Sequence, residues 1–376
     1  MRTQQFNIRL ILILLFAISS SVYGQDYSSW GKLKGGKYKV GFRTIKTYDS
    51  SRIYKPEEGI KYRPLLIHVW YPSTSTGQGF VKYKSYVSLE TLRENFTNNN
   101  ADEYCKQTMY GYIDYGKKVM GDLDVSIDEV LSSLTASLND AEPAKGKFPL
   151  IIYAPSLGKS SIQNNIVCEY FASHGYIIAS VASAGENSQV MTSDEKGVIA
   201  QVQDIEYVVK YLKTTENLKF SDIGTFGFSW GGFSNIIHQM RNDYVKAIAS
   251  WDGSIEYQGY EIAKSMVDFK PEKLKVPFIF FSNKNEDWTD FSFFKSVTNN
   301  KKYIYRLKQL EHAEFTSYWT VFSNAKVNAS SYSLESYKNL CEYTLLFFDI
   351  YLKNKTSMEK QLENVNTEVM TKLRVD

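Results

Sequence analysis

The sequence predicts an α/β fold: a mostly parallel central sheet with helices on both faces and a helical insertion. Three observations carry it. From residue 148 onward, short apolar runs alternate with amphipathic helical stretches, the rhythm of parallel strands joined by crossover helices. One of those runs, Ile223-Gly224-Thr225-Phe226, leads into Gly227-Phe228-Ser229-Trp230-Gly231 and then a helical stretch from Phe233, so a glycine-flanked serine sits at a strand-to-helix turn. The interval 73–146 breaks the rhythm, being polar and interrupted, as an insertion would.

Taken in order, residues 1–24 read as an export signal. Arg2 and Arg9 supply the positive start, 10–17 an apolar core, and Val22-Tyr23-Gly24 a small-residue cleavage site. That core is too short to span a bilayer, and no later run reaches the roughly 20 residues needed. An exported chain (secreted or periplasmic) starting at Gln25, with no transmembrane segment, is expected. Strands are predicted at 38–46 and 64–71. Within 73–146, helical patterns fall at 87–96, 102–115 and 127–138. Then come strand 148–154, the turn 155–158, helix 162–173, strand 176–182 and helix 197–212. The elbow strand follows, then strands 245–251, 276–282 and 302–308. A long helix at 334–353 closes a single domain of 25–355, and 356–376 reads as a polar tail.

Lys and Arg number 44 against 41 Asp and Glu, and removal of Arg2 and Arg9 leaves the chain near neutrality. No nucleic-acid surface is expected from such a balance. An apolar share of 43% suffices for the core of one large domain. Cys105, Cys168 and Cys341 permit one disulfide at most. Cys168 and Cys341 lie on helical patterns and read as small buried apolar residues. With no Cys-x-x-Cys and four single histidines, neither a zinc site nor any other cofactor is expected. The run from Asp122 to Asp128 lacks the glycine and terminal glutamate of a calcium loop. Ser126-Ile127-Asp128-Glu129 reads instead as a capping box.

A serine hydroxyl needs a base to become a nucleophile at neutral pH, and histidine is the usual one. His68 falls within an early strand, His238 within the helix after the elbow, and His174 at a helix C-terminus where it caps carbonyls. His312 alone falls just past the C-terminal end of a late strand, where sites of open parallel sheets gather. The base in turn needs a carboxylate to fix its tautomer. Asp252 directly follows strand 245–251, with Gly253 freeing the turn; Asp287 follows the next strand. Position favours Asp252, and Asp287 stands as the alternative. The oxyanion needs two backbone N–H donors, for which Trp230, after the serine, and Leu157, in the turn 155–158, are placed.

With these motifs the chain resembles the α/β-hydrolases, closest in arrangement to the platelet-activating-factor acetylhydrolase and dienelactone-hydrolase-like group. The resemblance spans about 38–353 and rests on Val69-Trp70-Tyr71-Pro72-Ser73, Ala154-Pro155-Ser156-Leu157-Gly158, Gly227-Phe228-Ser229-Trp230-Gly231, Trp251-Asp252 and Glu311-His312. It implies a serine esterase acting on a small-molecule or lipid ester through an acyl-enzyme. In the acetylhydrolases the acid follows the strand after the nucleophile helix, the place of Asp252. Two departures stand out. Pro155-Ser156 occupies the place of the acetylhydrolases' His-Gly, and Ser229 that of the dienelactone hydrolases' cysteine. A peptidase on the same fold, or an inactive exported binding protein, would share the pattern. The sequence does not bear on oligomeric state.

Overall fold

The computed structural model describes residues 28–75, 79–97, 100–120, 126–214, 218–285, 289, 291–324 and 331–375; the expected export signal at 1–24 lies outside them. Eleven strands form one sheet. They are β1 (Lys39–Lys55), β2 (Ile60–Ser73), β3 (Phe80–Lys82), β4 (Leu134–Asn139), β5 (Phe148–Ala154), β6 (Ile177–Val181), β7 (Phe220–Phe228), β8 (Val245–Trp251), β9 (Phe278–Ser282), β10 (Lys302–Leu307) and β11 (Met370–Leu373). Their spatial order is β11-β10-β9-β8-β7-β5-β6-β2-β1-β4-β3. The run from β6 to β10 is parallel, β2 and β11 join its two sides antiparallel, and β1 pairs antiparallel with β2.

β5 shows why the centre is parallel. Its apolar run is buried throughout: Ile151 and Tyr153 face one core, and Leu150, Ile152 and Ala154 face another. Such a strand has no solvent face, so helices must cover both sides. Helix α4 (Asn165–Ser173) and the long α10 (Ser331–Leu352) cover one, where Phe171, Phe226, Trp251 and Phe348 meet. Trp251 stands edge-on to Phe226 at 4.5 Å, and its indole N–H is taken by Thr344 Oγ1 at 2.9 Å. Helices α5 (Glu195–Thr214) and α6 (Trp230–Arg241) cover the other. Because β6 lies on one side of β5 and β7 on the other, the chain reverses direction there. This switch point opens a crevice beyond the strand ends.

The insertion departs from its sequence reading in its first helix, which runs over Tyr83–Leu89 where 87–96 is expected, and in two short strands, β3 and β4, where none is expected. It contains α1 (Tyr83–Leu89), α2 (Ala101–Met120) and α3 (Ile127–Ser132), but the helix expected over 127–138 stops at Ser132. Ser133 is extended, its N–H and hydroxyl both turned back to Val130 O, and Leu134–Asn139 becomes β4, parallel to β1. β1 would otherwise present an open edge, and pairing wins over local helical pattern. Ser126 Oγ accepts from Glu129 N at 3.3 Å, one half of the capping box. Where the insertion returns, Ser73 Oγ donates to Glu142 O at 2.7 Å.

The segment 356–376, expected as a polar tail, carries a 3-10 helix (Thr356–Glu363) and then β11, with Val369 and Met370 buried against β10. Its polar side chains face water while its backbone closes the sheet edge. Cys105, Cys168 and Cys341 are all buried and unpaired. Among the described residues, no helix is long and apolar enough to cross a membrane and no cluster of side chains could hold a metal ion.

Candidate active site

Ser229 sits between β7 and α6 with φ 54° and ψ −119°, a conformation an L-residue adopts at a cost of about 1–3 kcal/mol. The surroundings impose it. Ser229 N donates to Trp251 O and Ser254 N donates to Ser229 O, both at 2.9 Å. A Cβ at residue 227 would lie 2.5 Å from Gly231 C, and one at residue 231 would lie 2.0 Å from Ala154 O. Both glycines are therefore required by space, as the turn predicts.

His312 opens a short 3-10 helix (His312–Phe315) whose N-cap, Glu311, forms a reciprocal capping box with Glu314. The loop is tied to the end of β9 by Lys284 N, which donates to Leu310 O at 3.0 Å. Phe228 backs the imidazole, ring centres 4.9 Å apart. So held, His312 Nε2 lies 3.1 Å from Ser229 Oγ and Nδ1 lies 2.5 Å from Asp252 Oδ2.

Asp252 is fully buried at the end of β8. It, and not Gly253, takes the left-handed turn, with φ 46°. Gly253 has an ordinary φ of −69°, and its want of a side chain serves space: a Cβ there would meet Ser250 Oγ at 2.1 Å. Asn283 N donates to Oδ1 at 3.0 Å, Asn283 Nδ2 to Oδ2 at 2.8 Å, and the Tyr257 hydroxyl makes a short hydrogen bond to Oδ1. Asp287, the alternative acid, lies outside the described residues.

The loop after β5 is clamped on both sides. Gln201 Nε2 donates to Pro155 O at 2.9 Å, and Gln163 Oε1 accepts from Ser156 N at 3.0 Å. Gln163 Nε2 also reaches the hydroxyls of Ser156, at 2.9 Å, and Tyr318, at 3.2 Å. With the Ser156 N–H committed, Leu157 is the next backbone donor in the loop. Leu157, Ser229 and His312 line one cleft of about 550 Å³. Across it, α2 contributes Tyr112 and Tyr115, and Tyr318 stacks on Tyr112 at 4.5 Å.

The other histidines are occupied elsewhere. His68 Nδ1 meets Ser161 Oγ at 2.6 Å, and burial pushes its pKa down to about 3. His238 Nε2 meets Tyr244 OH at 2.7 Å and is pushed down to about 4, again by burial. His174 Nδ1 lies 2.8 Å from Tyr170 O at the end of α4, capping it. Sequence reasoning did not find Tyr257, Asn283 or Gln163. Only Asn283 carried a local signal, its place directly after an apolar strand.

A solved ferulic acid esterase from Streptomyces cinnamoneus has a similar structure, with a TM-score of 0.62 over 92% of this chain and 99% of that one, at 19% identity. The fold is the α/β-hydrolase fold. No family model matches the sequence, and no curated protein sequence matches it. Enzymes of this fold carry their nucleophile at a strand-to-helix turn, with acid and base following in the chain order Ser, Asp, His.

Proposed function

We propose that the protein is an exported serine hydrolase that cleaves carboxylic esters through an acyl-enzyme. The observation that carries this reading is the continuous chain from Ser229 Oγ to His312 Nε2 at 3.1 Å and from His312 Nδ1 to Asp252 Oδ2 at 2.5 Å. Ser229 Oγ attacks the ester carbonyl carbon while His312 Nε2 takes its proton. The carbonyl oxygen becomes an oxyanion, received by the N–H groups of Trp230 and Leu157. His312 passes the proton to the departing alkoxide, leaving an acyl group on Ser229. Water then attacks that carbonyl with His312 again as base, and Ser229 leaves with the proton. Asp252 keeps the proton of the neutral imidazole on Nδ1 and stabilises the imidazolium.

The esterase named as a structural neighbour supports the choice of esters over peptides. Export rests on residues 1–24, and a mature N-terminus at Gln25 is its test. For the chemistry, intact-mass analysis after treatment with a fluorophosphonate should show one adduct, on Ser229. A folded protein with no adduct would leave a binding protein on a hydrolase fold.

A further inference from the structure

Helix α2 turns one face toward the cleft, and in the middle of that face stands Gly111, between Thr108 and Tyr112. Glycine is the poorest helix former after proline, and nothing local explains one here. It needs no special backbone angle, and a Cβ at residue 111 would have open space around it, with no heavy atom within 4 Å other than its chain neighbours Tyr110 and Tyr112 and the helix's own backbone. Neighbouring packing therefore does not require the glycine. What the missing side chain leaves open is the cleft that Ser229 and His312 also line.

The walls beside this gap are aromatic. Tyr112 and Tyr318 are stacked, with ring centres 4.5 Å apart and planes within 21°. Tyr115 is 52% exposed, and Phe228 and Leu157 line the same cleft. A cleft of about 550 Å³ falls in the range that holds drug-sized ligands, so an acetyl ester would leave most of it unfilled. Rings accept other rings edge-on or offset at centre distances of about 4.5–7 Å, an arrangement this wall offers.

On the esterase reading, we infer that Gly111 is a specificity-determining residue, whose missing side chain admits an ester bearing an aromatic ring. The ring can belong to the acyl or to the alcohol part. Methyl 3-phenylpropanoate and 3-phenylpropyl acetate distinguish the two, with methyl propanoate and methyl octanoate as references. Wild type should favour one aryl ester over both references. Gly111→Leu should lower the kcat/KM ratio of that aryl ester to methyl propanoate by about thirtyfold, the scale of several displaced methylene contacts. Gly111→Ala should lower the same ratio by a few-fold and raise Tm by about 2 °C, because alanine favours the helix. The Ala variant keeps the test alive if the Leu variant does not fold. An unchanged ratio in folded variants overturns the inference, as does a wild type that prefers methyl octanoate. A wild type that hydrolyses none of the four esters and takes no fluorophosphonate overturns the esterase reading itself, and this inference with it.

Discussion

The Tyr257 hydroxyl donates a short hydrogen bond to Asp252 Oδ1, the carboxylate oxygen turned away from His312. Burial, and then the charge of Asp252, hold the phenol far above its ordinary pKa, so it stays a donor throughout the working range. Together with the two bonds from Asn283, it fixes the carboxylate plane and draws charge away from the oxygen facing the imidazole.

Tyr257→Phe should therefore act on the base through its partner. The looser carboxylate should lower kcat by about tenfold, with KM nearly constant. The rate of fluorophosphonate labelling at neutral pH checks the same loss without a substrate. A variant with wild-type kcat and labelling rate would reduce Tyr257 to a packing residue.

Asp252→Asn should be far more severe. The amide can leave the shape intact while favouring the wrong imidazole tautomer, lowering kcat by roughly 10⁴-fold at neutral pH. Asp287→Asn, assayed beside it on one ester, should cost about tenfold or less. The reverse ranking would transfer the acid to the loop after β9.

Much of this site was legible because its signals are local. The elbow glycines recur at fixed offsets from Ser229, Gly227 through contacts with Gly231 and Gly232 and Gly231 through the close approach of Ala154, and parallel strands such as β5 announce themselves as unbroken apolar runs. His312 emerged because only four histidines compete. The groups that hold the machinery still were not legible. Gln163 matters because β5 and α9 (Ser317–Asn324) bring Ser156 and Tyr318 to it, and Asn283 because β8 and β9 end side by side. β4 was misread for the same reason. Its alternation is short, and the edge of β1 that demands it lies roughly a hundred residues away.

Acid should destabilise the fold through two histidines outside the site. His68 and His238 are buried neutral, with pKa values near 3 and 4 against an ordinary 6.5. The unfolded chain binds the extra protons first, so stability is complete above about pH 6.5 and falls as pH drops toward the folded values. At pH 5 each histidine accounts for a loss of about 2 kcal/mol. Urea unfolding at pH 7 and pH 5 measures the difference. His238→Gln, which can still bond Tyr244, should lose about 2 kcal/mol less than wild type over that interval. An equal loss would show that His238 already gains its proton in the native state.

Gln163 is 4% exposed and joins the Ser156 N–H to the Tyr318 hydroxyl. An oxyanion donor acts only if it is aimed before charge develops, since reorienting it during reaction costs the energy it would return. The Leu157 N–H lies one residue past the clamp, so Gln163 should set its aim through Ser156. Gln163→Leu keeps the volume, removes the acceptor and frees the loop. Loss of one aimed donor should lower kcat by about 10²-fold, with KM within about twofold. Gln163→Glu keeps the acceptor for Ser156 and should retain more activity than the Leu variant. Burial of the unpaired Ser156 N–H should cost the Leu variant about 1–3 kcal/mol of stability, a loss that activity at low temperature separates from the catalytic one. A folded Leu variant with wild-type kcat would remove Leu157 from the oxyanion site and leave Trp230 as its assigned donor.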